Sequence, residues 1–74
     1  MSNAMSFQKV HEHLSNILRL TMEKDGEYQD TFPRTNFTDV CTIIGNFTFF
    51  NLPGTVNVKI TLDGDNVVVV MVKT

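Results

Sequence analysis

His11-Glu12-His13 is the stretch whose residue types come nearest to holding a metal ion or moving a proton. On a helix, side chains two positions apart point about 200° from each other, so the two imidazoles cannot share one ion; helical ligand pairs need a spacing of three or four. The pattern sets His11 beside an apolar stripe and turns His13 towards solvent. Asp63-Gly64-Asp65-Asn66 opens like a calcium loop, but the chain runs on into valines and supplies neither the later oxygens nor the closing glutamate, so it reads as a turn. Cys41 has no histidine or basic residue close to it in sequence and is expected as a buried thiol acting as a small hydrophobe. Glu23, Asp25, Glu27, Asp30 and Asp39 gather around a helix end and a connector and read as solvated carboxylates. No Gly-rich phosphate loop, nucleophile elbow or histidine-acid pair at helical spacing is present, so neither catalytic nor metal-binding residues are assigned, no cofactor is expected, and the chain is not read as an enzyme.

Charge and cysteine count narrow the function classes. Six Lys/Arg stand against eight Asp/Glu, a net charge of -2, and the basic residues are scattered. A nucleic-acid surface needs several cations on one face, and although Phe47, Phe49 and Phe50 could stack bases, nothing basic lies between Arg34 and Lys59 to form the groove. The apolar stretch from Val40 to Leu52 is interrupted by Thr42, Gly45, Asn46, Thr48 and Asn51 and is too short to span a bilayer. With no secretory signal visible, a cytoplasmic protein is the expectation. Met1-Ser2-Asn3-Ala4 ahead of Met5 looks like an expression-tag scar, which leaves residues 5–74 as one small domain. A domain of this size is marginally stable by itself, and a single cysteine rules out both an internal disulfide and a cysteine-built zinc site. Oligomerisation remains as reinforcement.

The elements that must position these residues follow from periodicity. Phe7, Val10, Leu14, Ile17, Leu18 and Thr21 fall on one helical stripe, so Ser6 to Asp25 is read as an amphipathic helix with Ser6 as N-cap and Gly26 as a left-handed stop. Leu20 and Met22 widen its apolar surface. Glu27 to Asn36 is read as a connector anchored by Tyr28 and Phe32, with room for a short edge strand, since Pro33 denies it a central place. Thr55 to Leu62 alternates strictly, Asp63-Gly64-Asp65-Asn66 turns the chain, and Val67 to Val72 is apolar without interruption; together they make a β-hairpin.

Residues 38–51 admit two readings. Val40, Ile43, Ile44 and Phe47 would form a helical stripe capped by Asn36 or Thr38. Against it stand many β-branched and aromatic residues and Gly45, which costs about 1 kcal/mol in mid-helix relative to alanine. The strand reading is favoured, with turns at Gly45-Asn46, Pro53-Gly54 and Asp63-Gly64. The predicted fold is therefore α+β: one N-terminal amphipathic helix packed on a three- to four-stranded antiparallel β-meander, with strands near 38–44, 47–51, 55–62 and 66–72.

The valine strand has no polar face, and one helix covers one side of a sheet. The leading expectation is a non-catalytic interaction or accessory protein, a homodimer or one docked on a larger protein partner, with an interface of Val67, Val69, Met71, Phe49, Leu20 and Met22. The alternative is a small apolar-ligand module with a pocket between helix and sheet lined by Leu14, Leu18, His11, Tyr28 and Phe47.

Overall fold

The computed structural model describes residues 4–24, 26–50 and 56–73, with side chains in the second helix described as far as Phe47. The elements are α1 (Phe7–Glu23), β1 (Glu27–Pro33), a 3-10 turn (Arg34–Asn36), α2 (Phe37–Phe50), β2 (Val56–Asp63) and β3 (Asn66–Lys73). The architecture is α+β, with a three-stranded antiparallel sheet in the order β1-β3-β2.

α1 starts where the sequence places it: the Ser6 hydroxyl accepts from the Lys9 amide at 3.2 Å. Val10, Leu14, Ile17, Leu18 and Thr21 are buried, and the Thr21 hydroxyl is satisfied by donating to the Ile17 carbonyl one turn back at 2.7 Å. Phe7 departs from the expected stripe. It sits in the first turn of the helix and is 48% exposed. The helix also stops earlier than expected, at Glu23, with Lys24 already extended. Gly26 has φ +134, a conformation that favours glycine, and it serves the turn into β1.

Residues 38–51 hold the main correction. The segments expected as strands at 38–44 and 47–51 lie, as far as Phe50, in α2, and Gly45-Asn46 is mid-helix and not a hairpin loop. The reason is the pattern of burial. A strand would put Val40 and Ile44 on one face and Ile43 on the other; a helix brings Val40, Ile43, Ile44 and Phe47 together, and all four are buried. Burying a side chain of this size contributes roughly 1.5–3 kcal/mol, whereas β-branched residues lose at most about 0.7 kcal/mol each in helix propensity. Asn36 ties the start of α2 to the chain ahead of α1. Its side chain accepts from the Met5 amide and donates to the Met5 carbonyl, both at 2.8 Å, and donates to Asp39 at 2.9 Å.

The expected β2–β3 hairpin is present, closed by Asp63 and Asn66 around Gly64-Asp65. Gly64 takes φ +60 while Asp65 does not take positive φ, as in a two-residue loop with glycine first. The third strand comes from the connector: Glu27–Pro33 pairs with β3 from Glu27↔Val72 to Pro33↔Asn66. Proline ends this edge strand, where a missing ladder donor is tolerated. Arg34 then fastens the corner, its amide donating to the Asp65 carbonyl at 2.8 Å and its guanidinium to the Gly64 carbonyl at 3.0 Å. The turn expected at Pro53-Gly54 and residues 1–3 of the tag scar expected at 1–4 lie outside the described residues.

Both helices lie on one side of the sheet. Phe32, Val56, Val67, Val69 and Met71 point into that side and join Val10, Leu14, Ile17, Leu18, Val40, Ile43, Ile44 and Phe47 in a single core. α1 packs on β1 and β3 and carries α2 on its flank, while neither helix packs extensively on β2.

Candidate functional site

The structure joins two elements at a polar pair. His13, on α1, leans towards β1 and is only partly exposed to solvent, and its Nδ1 lies 2.8 Å from Oδ2 of Asp30. The imidazole is also edge-on to Phe32, with ring centroids 6.0 Å apart. The other Asp30 oxygen accepts from the Thr31 amide at 2.8 Å. The two side chains are 42% and 27% exposed, so the pair is screened and contributes at most about 1 kcal/mol. A carboxylate can orient an imidazole for proton transfer, but that chemistry also needs a reacting group within reach. Among the described residues the pair meets no hydroxyl, thiol or third charge, and no three His, Cys, Asp or Glu residues are grouped as a metal site.

His11 remains separate, exposed, with Nδ1 3.4 Å from the Ser15 hydroxyl and its ring edge-on to Phe47 at 5.6 Å. Cys41, expected to be buried, is exposed, because the helical turn of α2 rotates it off the buried stripe of Val40, Ile43, Ile44 and Phe47.

The expected interface is redistributed by the sheet order. Val67, Val69 and Met71 are fully buried beneath the helices and are unavailable to a partner. β3 is the central strand, so its edges are already paired. Leu20 is half-buried, Met22 is 44% exposed, and the Phe49 side chain lies outside the described residues. Of the expected pocket lining, Leu14, Leu18 and Phe47 are core side chains and Tyr28 is half-buried against the core. The described depressions lie on the outer surface of α1, around Ser15, Leu18, Arg19, Met22 and Glu23 and around His11, Glu12 and Asn16, and on the far face of the sheet beside Val70 and Val72.

That far face explains how the valine strand tolerates its position. Val68, Val70 and Val72 point there and are half-buried. The register flanks each valine with two polar neighbours: Thr31 and Thr61 beside Val68, Gln29 and Lys59 beside Val70, Glu27 and Asn57 beside Val72. Their stems shield the valines laterally while their polar ends stay in water. Covering this face with a partner would bury six polar side chains to gain three valines.

β2 is different. Its helix-side residues grow steadily more exposed along the strand, from buried Val56 through half-buried Val58 and Ile60 to Leu62 at 44%. Among the described residues no strand pairs with its outer edge. Because Asp63 and Asn66 close a two-residue hairpin, residues 57, 59, 61 and 63 direct their backbone groups to β3, and residues 56, 58, 60 and 62 direct theirs outward. An unpaired backbone edge and an unfinished apolar row therefore coincide on one strand. The sequence carried the signal in the strict alternation of Val56, Val58, Ile60 and Leu62, but not the fact that β2 would be an edge.

Comparison of the chain with protein-family models, with curated proteins and with solved structures returned no match.

Proposed function

We propose that the protein is a small non-catalytic interaction or accessory protein that works by association through β2, as a homodimer or docked on a larger protein partner. The observation that carries this reading is the bare β2 strand, where outward amides and carbonyls run beside the partly exposed Val58, Ile60 and Leu62. Edge strands that must stay monomeric are blunted by proline, bulges, short length or inward charges. β2 is eight residues long, has no proline and turns only apolar side chains inward; of the devices that blunt an edge it carries a single lysine, Lys59, on its far face. The exposed thiol of Cys41 suits the reducing cytoplasm.

Sedimentation velocity across a wide range of micromolar concentrations tests the reading. The mass is expected to rise from 8.4 kDa towards twice that value, and the melting temperature to rise with protein concentration. A mass fixed at one chain, with Leu62→Lys changing neither solubility nor melting temperature, would remove it.

A further inference from the structure

We propose that the partner of β2 is β2 of a second copy, paired antiparallel about a twofold axis at Thr61 to give a continuous six-stranded sheet. This rests on the association reading above and adds the occupant and the register.

The two edges of the sheet are unequal. β1 ends in Pro33 and turns the charged Asp30 inward, two features that discourage strand addition, while β2 has neither. Self-pairing must also use the outward-directed backbone of residues 56, 58, 60 and 62, and three central registers satisfy this: Lys59 on Lys59, Ile60 on Ile60, or Thr61 on Thr61.

Charge selects among them. The first sets two lysines directly opposite, which is destabilising. The second sets Lys59 against Thr61 and Asn57 against Asp63, with no charges directly paired. The third sets Lys59 against Asp63 of the second copy and, by symmetry, does so twice. It simultaneously places Ile60 against Leu62 of the second copy on the helix side, again twice, joining the two partly exposed rows. Both Lys59 and Asp63 lie on the far side of the strand, and neither is in an ion pair with a described residue. Apolar side chains meet on the helix side in all three registers, and only this one also pairs opposite charges on the other side.

The test uses the full chain with Cys41→Ser. Adding Thr61→Cys is expected to give a disulfide-linked dimer on mild oxidation, because the two substituted positions face each other across a non-hydrogen-bonded pair. Lys59→Cys in the same background is expected to remain unlinked, its two copies lying four residues out of register. Independently, Lys59→Glu and Asp63→Lys are each expected to weaken the dimer by tenfold or more in sedimentation, and the double variant to recover most of the loss. Circular dichroism confirms that each variant is folded. A dimer that links through Lys59→Cys, or through neither position while ignoring the charge swaps, overturns this register but leaves association through another geometry standing. A wild-type chain that never dimerises overturns the proposal and, of the reading beneath it, leaves only docking on a larger partner.

Discussion

Single residues divide here into ties and ornaments. Asn36 is a tie: buried, it makes two side-chain hydrogen bonds to Met5 ahead of α1 and a third to Asp39 in the first turn of α2. Asn36→Ala leaves the Met5 backbone groups and the Asp39 carboxylate without that partner, and urea unfolding is expected to show a loss of about 1–3 kcal/mol. The His13–Asp30 pair is closer to ornament. A double-mutant cycle with His13→Ala and Asp30→Ala is expected to return a coupling below about 1 kcal/mol, shrinking as salt is added. The same aspartate explains why β1 was hard to see in the sequence. On the inward row Tyr28, Asp30, Phe32, the polar middle residue interrupts the apolar alternation that would have marked a strand, and only its partner on another element makes that position tolerable.

At the scale of elements, α2 shows local preference yielding to burial. Gly45 sits mid-helix and exposed, and a Cβ there would meet nothing within 4 Å. Gly45→Ala is therefore expected to stabilise the protein by about 0.5–1 kcal/mol, read as a higher melting temperature, whereas the hairpin reading of Gly45-Asn46 would have required a loss. Gly64 has equally open space around it, but its φ of +60 is the obstacle. Gly64→Val is expected to destabilise by at least about 1 kcal/mol in the same measurement. The two glycines look alike in sequence, each followed by a polar residue. Backbone conformation separates them.

For the whole molecule, stability is small and the core is shared by every element. At the usual 0.05–0.15 kcal/mol per residue, a chain of this length holds roughly 4–11 kcal/mol. Phe32 is almost fully buried between the sheet and the helices, and Phe32→Ala is expected to cost about 3–5 kcal/mol, a large share of that total, read as a much lower melting temperature by circular dichroism. With so little in reserve, covering the bare row on β2 by a second copy would matter to the fold as well as to function.

The sequence by itself determined the N-terminal amphipathic helix and its Ser6 cap, though not its end at Glu23, together with the β2–β3 hairpin and the α+β class, because each depends on side-chain period and turn chemistry within a short window. It also marked Val67 to Val72 as a strand with no polar face, expected to need cover on both sides; the structure buries Val67, Val69 and Met71 and leaves Val68, Val70 and Val72 half-buried. Only the tertiary structure decided that 37–50 is helical, that Glu27–Pro33 is a strand, and that β3 lies between β1 and β2. Those outcomes depend on which faces meet, and sheet order is a long-range property that no local pattern encodes. The order moved the candidate interface. Pairing on both edges, with helices on one side and polar flanks on the other, relieves the valine strand, and the unfinished surface passes to its neighbour β2.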